Sequence, residues 1–345
     1  MIPKVSIIIP VYNAAEFVEK CLKNCLLQTM RTLEVIVVDD KSTDNTVEIV
    51  QSVIEKDKRV KLIQLEKNSR QGYARNVGIQ HAKADYIMFL DVDDGYENDC
   101  VELMYKKITE DDADMTVCKF YTLDYKTMLV ETYHDFKNYA DISENLYSGF
   151  CYKDLNPYEI FNKCNVVWDK IYKKSFILDN NITFPGGMYC EDDVFSFKAF
   201  FRAKKITVLD KYLVYYRVNR DNSSSVIGDE TAFDCFRMMK LIRDDLLDLE
   251  IYYELYNAIV AYSVEVCLYF YGLVKKRLKK EFYNKMKKTL CRYWGYLDEI
   301  SNQKYFTITY DNLEKIIYNN YYSYEIITFW ERLKTNVKNF FQKED

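Results

Sequence analysis

The sequence predicts an α/β fold, a mostly parallel sheet flanked by helices with a C-terminal helical extension. Three observations carry that expectation. Short apolar runs alternate with amphipathic stretches over the first hundred residues. The residues just after each apolar run are polar or acidic. Beyond about residue 230 the texture changes to long helical stretches heavy in Tyr, Phe and Lys.

Taken in order, "VSIIIPVY" (5–12) reads as a strand buried on both faces, "AAEFVEKCLKNCLLQ" (14–28) as an amphipathic helix, and "LEVIVVDD" (33–40) as a second buried strand. "STDNTVEIVQSVIEK" follows as a helix with Ser42 or Asp44 as N-cap, then the short strand "VKLIQLE" and the helix "YARNVGIQHAK". "YIMFL" (86–90) is the fourth strand, and it runs straight into Asp91, Val92, Asp93 and Asp94. From about 100 to 225 the pattern is mixed: a helix "CVELMYKKI", a strand "DMTVCKFY", an irregular stretch near 133–160, and "NVVWDKIYKKSFILDN". Next come a helix opened by Glu191, Asp192 and Asp193, and "ITVLDKYLVYYRV" (206–218) as two short strands or one bent one. No Pro/Gly/Ser linker interrupts this region, so residues 1–225 read as one domain and 226–345 as a helical region of acceptor, membrane-surface or oligomer contacts.

Composition excludes more than it assigns. Apolar residues make up 49% of the chain, enough for a real core. The 48 basic and 53 acidic residues leave a charge of −5 and no bulk attraction to nucleic acid. Ten scattered cysteines without a CxxC pair, in a chain that opens directly on a strand with no signal peptide, fit a reducing cytosol; Cys21 and Cys25 read as buried small hydrophobes. Two histidines are too few for a histidine-rich zinc site, so a metal here should be held by oxygen. The apolar stretch 256–274 has the length of a membrane span, but Glu265 near its middle favours a buried helix of a small bundle. The basic runs at 275–280 and 285–288 read as a solvated face, or less often as a patch for anionic lipid.

In a parallel sheet ligands sit beyond the carboxyl ends of the strands. Those ends carry Tyr12 and Asn13, Asp39 and Asp40, and the 91–94 segment, while no GxGxxG or GxxxxGK[ST] loop occurs. The carboxylates at 91–94 are either a turn accepting backbone hydrogen bonds or ligands for Mg²⁺ or Mn²⁺ on a diphosphate. Asp39 and Asp40 are either helix-capping groups or acceptors for the N–H of a uracil-like base. Tyr12 is either a core ring or a stacking platform. Arg70 and Arg75 are either surface ion-pair partners or a diphosphate clamp. The triplet at 191–193 suits a helix start, and Asp192 is the candidate general base. Trp168 is either a wall of the acceptor site or a core tryptophan.

The motifs "VSIIIPVYNAAEFVEKCLKNCLLQT", "LEVIVVDDKSTDNT", "GYARNVGIQHAKADYIMFLDVDD", "VWDKIYKKSFI" and "YCEDDVFSF", in this order and spacing, resemble the family 2 glycosyltransferases of the GT-A fold, especially bacterial enzymes of capsule and exopolysaccharide synthesis. The resemblance covers the first 225 residues or so. It implies inverting transfer from a nucleotide-diphosphate sugar, UDP-linked by preference, to a glycan or lipid-linked oligosaccharide, with Mn²⁺ or Mg²⁺. By the same resemblance Pro10, Tyr12 and Asp40 meet the base and ribose, with Asn13 and Asp39 beside them. Arg75 lies near the nucleotide, Asp91 and Val92 contact ribose or sugar, Asp93 holds the metal and Asp192 is the base. Glu191 and Trp168 fall on the acceptor side. Arg217 and Arg220 occupy the segment that covers the diphosphate, where the family often has a histidine and this chain has none. It leaves room for peripheral contact with the inner face of the plasma membrane and for a homo-oligomer. Two rivals are a nucleotidyltransferase, disfavoured by the glycine-poor turn after strand one, and a catalytically inactive carbohydrate-binding or scaffold homologue.

Overall fold

A computed structural model of the chain describes residues 2–132, 142–161, 166–219, 230–294 and 316. The chain divides into two compact units, Met1–Ser224 and Ser225–Asp345. In the first unit the predicted alternation becomes β1 (Val5–Val11), α1 (Val18–Leu26), β2 (Leu33–Asp39), α2 (Thr46–Lys56), β3 (Val60–Gln64), α3 (Arg70–His81) and β4 (Tyr86–Phe89). Every residue of β1 and β2 is buried, because helices cover both faces of these central strands. The order β3-β2-β1-β4 is parallel throughout.

Beyond β4 the sheet is mixed. After β5 (Gly95–Tyr96) and α4 (Cys100–Glu110) come β6 (Met115–Asp124), β7 (Val130–Thr132), the short helix α5 (Pro157–Phe161), β8 (Lys170–Lys173), α6 (Lys174–Asp179), α7 (Glu191–Arg202) and β9 (Ile206–Val218). β8 runs antiparallel to β4 and β6, β9 lies parallel to β6, and β5 is antiparallel to β9. The 206–218 stretch is therefore one strand, with register shifts against β6 between Cys118 and Phe120.

Helix α2 begins at Thr46, later than its N-cap candidates suggest. Asp44 accepts the Thr46 N–H at 3.1 Å, whereas Ser42 turns its hydroxyl to accept the Asn13 N–H at 2.9 Å. Cys21 and Cys25 are buried, as the spacing predicts. Trp168 also belongs to the core: it is 3% exposed, stacks on Tyr216 at 5.1 Å and meets Phe120 edge-on at 4.8 Å. Its expected place as an acceptor wall is corrected by that burial.

Helix α3 packs its backbone directly against the sheet at Gly78. At Gly78 an added Cβ would stand 2.3 Å from Ile8 Cγ2, so only a glycine lets the helix backbone seat on β1. The same face carries Gly72, Arg75 and Ile79, all buried.

In the second unit, α8 (Asp234–Asp248), α9 (Tyr256–Leu273) and α10 (Lys279–Trp294) form a helical group around Phe233, Phe236 and Phe282, whose rings lie 4.8–6.2 Å apart. Most of α9 is buried here, and among the described residues no helix is long and apolar enough to cross a membrane. Lys275, Lys276, Arg277, Lys280, Lys285 and Lys288 are exposed, the solvated face their runs predict.

Replacing Gly78 by Ala should force α3 off β1. The expected loss is about 1–3 kcal/mol of unfolding free energy, read from the shift of a urea midpoint at unchanged slope.

Candidate active site

Three parallel strands deliver the predicted residues to one edge of the sheet. The Asp40 N–H donates to Val11 O at 2.8 Å and the Leu90 N–H to Ile8 O at 3.1 Å, which holds the ends of β1, β2 and β4 side by side. Tyr12 is 50% exposed, so its ring is at the surface rather than in the core. Pro10 is buried within β1. Asn13 has φ 48° and orders the neighbouring loop, its Oδ1 accepting the Thr43 N–H at 2.8 Å.

The two aspartates after β2 do different things. Asp39 accepts the Ser42 N–H at 3.2 Å, as a loop-organising group does. Asp40 faces the start of α3 and accepts the backbone N–H groups of Ser69 at 2.6 Å and Arg70 at 2.7 Å. A carboxylate at a helix N-terminus meets both unpaired N–H donors and the positive end of the dipole. Burial pushes the Asp40 carboxyl up, those two N–H groups oppose the rise, and the Asp39 charge adds to it.

Arg75 differs most from expectation. Its side chain is 1% exposed, so it is not the surface ion-pair partner that is the ordinary reading of an arginine. One terminal nitrogen, Nη2, donates to Asp91 Oδ1 at 2.6 Å and the other, Nη1, to Glu191 Oε1 at 2.7 Å. The guanidinium also lies 5.3 Å from the centre of the Phe184 ring. Burial alone would lower its pKa, but Asp91, Glu191 and Asp192 outweigh that and hold it charged.

Glu191, expected on the acceptor side, is likewise 1% exposed and turned inward to Arg75. Burial and the Asp192 charge push its carboxyl up to about 7 against the pull of Arg75. Asp192 is only partly buried. Its pKa is raised by burial, lowered by Arg75 and raised again by Asp91, so the base candidate and the strand-end carboxylate sense each other.

After β4, Asp91 is 30% exposed, Val92 and Asp93 are partly exposed, and Asp94 is buried. Asp94 Oδ1 accepts the Arg217 N–H at 2.8 Å, and Arg217 Nε donates to the Asp93 carbonyl at 2.7 Å. Burial, then repulsion from Asp93 and Asp91, pushes the Asp94 carboxyl well up. Arg217 thus reaches the acidic segment from β9, with its guanidinium 5.7 Å from the Tyr125 ring centre. Arg220 lies outside the described residues.

The oxygen-only donor set at 91–94 suits a hard divalent cation. No group of three or more His, Cys, Asp or Glu side chains among the described residues forms a cage for one. Mg²⁺ and Mn²⁺ do not require such a cage, since one or two carboxylates with substrate phosphates and water can complete their coordination.

Sequence reading missed two parts of this arrangement. One is the Arg75–Glu191 pair. The other is Asn76, whose Nδ2 donates to Phe184 O at 2.8 Å while its Oδ1 accepts the Phe184 N–H at 2.9 Å, tying α3 to the segment before α7. A signal for the first was present: Arg75 falls on the same helical face as Gly72, Gly78 and Ile79, and a cation on a buried face requires acidic partners.

A carboxyl whose folded pKa exceeds its ordinary value holds its proton more tightly when folded. The contribution of Glu191 to stability is therefore full below about 4.5 and lost as pH rises through about 7. Asp40, Asp94 and Asp192 act in the same direction. The unfolding midpoint should fall between pH 5 and pH 8, and Glu191→Gln should remove part of that fall; thermal melts across this range check it, and an unchanged slope would show that Glu191 titrates normally.

The family model described as glycosyl transferase family 2 matches residues 6–171. Glycosyltransferase GlyA of Streptococcus pneumoniae serotype 4 is 33% identical over 231 residues, which span 65% of this chain but only 32% of GlyA. Glycosyltransferase GlyG of the same organism is 30% identical over 228 residues, spanning 62% of this chain and 70% of GlyG. Among solved structures, S. aureus TarS 1-349 in complex with UDP-GlcNAc superposes with a TM-score of 0.70 at 23% identity, covering 91% of this chain and 90% of that one, a likeness of fold. On the family match and the relation to GlyG, the chain belongs to family 2 of the glycosyltransferases.

Proposed function

We propose that the chain is an inverting glycosyltransferase that moves a sugar from a nucleotide-diphosphate donor to a hydroxyl of a glycan or lipid-linked oligosaccharide in bacterial surface-polysaccharide synthesis. One observation carries the reading: Arg75 joins a carboxylate just after β4 to one opening α7, beside strand ends that carry Tyr12 and Asp40. UDP is the favoured nucleotide, because a carboxylate at Asp40 suits the N–H of uracil and because the TarS fold relative was solved with UDP-GlcNAc. The exposed lysines and Arg277 between α9 and α10 would suit an acceptor presented at the inner face of an anionic membrane.

In this reading Tyr12 stacks on the base, Asp40 and Asn13 line its edge, and Asp91 with Val92 meets ribose or sugar. Asp93 would hold Mn²⁺ or Mg²⁺, which when bound would neutralise the diphosphate leaving group. Arg217, fixed to the Asp93 and Asp94 backbone and carboxyl groups, adds positive charge on the same side. Asp192 takes the proton of the attacking hydroxyl. Its raised pKa increases its strength as a base. Inversion requires that carboxylate on the face opposite the leaving group.

Two substitutions separate the roles. Asp93→Ala should abolish metal-dependent donor binding and transfer together. Asp192→Asn should bind UDP-sugar normally and lose turnover by roughly 100-fold or more. Calorimetric titration with UDP-glucose and UDP-GlcNAc in Mn²⁺, alongside UDP release, reads both. Donor binding and transfer that survive Asp93→Ala unchanged would remove Asp93 from the metal role, and no UDP release by the wild-type chain from any UDP-sugar would favour the scaffold reading.

A further inference from the structure

We propose that Arg75, Glu191 and Gly72 form a strut that sets the separation of Asp91 from Asp192, making Glu191 and Arg75 positioning residues for transfer rather than contacts to acceptor or nucleotide. The inference rests on the transferase reading above and extends it to residues that touch no substrate.

Arg75 forms a fork, using a different terminal nitrogen for each carboxylate, 2.6 Å to Asp91 and 2.7 Å to Glu191. A guanidinium is planar and rigid, so holding both ends fixes the distance between the two acids in a way a lysine ammonium cannot. Asp91 is two residues from Asp93, and Glu191 immediately precedes Asp192. The span between metal-side and base-side carboxylates is therefore transmitted through one side chain.

A steric contact independent of charge acts beside the fork. Gly72 sits one turn before Arg75 on the buried face of α3. A Cβ there would stand 2.7 Å from Glu191 Cγ and 3.0 Å from the Pro185 carbonyl oxygen. The stem of Glu191 thus lies directly against helix backbone, and any side chain at 72 would push α7 outward.

The fork is backed by aromatic rings. Phe184, whose ring faces the guanidinium, stacks on Phe195 of α7 at 3.9 Å with planes 7° apart, and both meet Phe89 of β4 edge-on at 5.3 and 5.6 Å. Asn76 holds the Phe184 backbone at both its N–H and its carbonyl. α3, α7 and the end of β4 are locked into one rigid corner. A buried charge cluster is a poor source of stability compared with apolar packing, so its presence here points to geometry.

The test compares the full-length chain with Gly72→Ala, Arg75→Lys, Glu191→Gln and Glu191→Ala. UDP release from UDP-glucose or UDP-GlcNAc in Mn²⁺ gives kcat and KM, titration with UDP gives Kd, and a melt gives the midpoint. A displacement near 1 Å costs on the order of 100-fold in rate, so Gly72→Ala and Arg75→Lys should lower kcat by at least about tenfold, with KM and the UDP Kd within about threefold. Glu191→Gln, which keeps an oxygen for Arg75, should retain more kcat than Glu191→Ala. Variants that keep wild-type kcat overturn the strut while leaving the transferase reading intact. A loss of kcat that only tracks lost UDP binding and a collapsed midpoint assigns the cluster to folding and overturns it as well. A wild-type chain that binds UDP yet releases none from the UDP-sugars overturns the transferase reading, and the strut falls with it.

Discussion

The first unit depends on the buried guanidinium of Arg75. Arg75 is charged, 1% exposed and shared between acids that lie 16 residues downstream and 116 residues downstream. A guanidinium removed from water without partners is strongly unfavourable, so α3, the end of β4 and the start of α7 have to arrive together or the arginine is left uncompensated. Partial formation of this corner is worse than none. That makes the corner cooperative, and it explains why a helix with two glycines and a weakly apolar face is nevertheless packed tightly against β1.

The same corner concentrates negative charge. Among the described residues, Asp91, Glu191 and Asp192 act on Arg75, and Asp93 and Asp94 hold Arg217. Burial is the main cause of the raised pKa values at Asp94, Glu191 and Asp192, and neighbouring acids add to it. A fold selected for stability alone would replace such groups by apolar ones of similar volume. On the transferase reading proposed above, a divalent cation would find such carboxylates preorganised.

Much of this was legible in the sequence, and for definite reasons. Strands β1 and β2 show as unbroken apolar runs because both their faces are covered, and the polar residues that follow mark the ligand-facing edge. The acids opening α7 stand out because a helix start tolerates them. What periodicity could not supply is pairing between distant segments. Arg75 and Glu191 look like surface charges when each is read alone, and only the contact between them reveals that both are buried. Trp168 shows the converse: its ring could line a site or fill a core, and the choice was made by Phe120 and Tyr216, residues on two other strands.

Helix α3 links these observations. Its first N–H groups are held by Asp40 at the end of β2, its middle carries the fork to Asp91 and Glu191, and Asn76 grips the chain leading into α7. Gly72 and Gly78 remove the two side chains that would keep it away from α7 and β1. The helix is therefore a beam held at its N-terminus by Asp40 and at its centre by the fork to Asp91 and Glu191. A shift of α3 along its axis would alter both ends at once, because Asp40 and Arg75 grip the same rigid element only two helical turns apart.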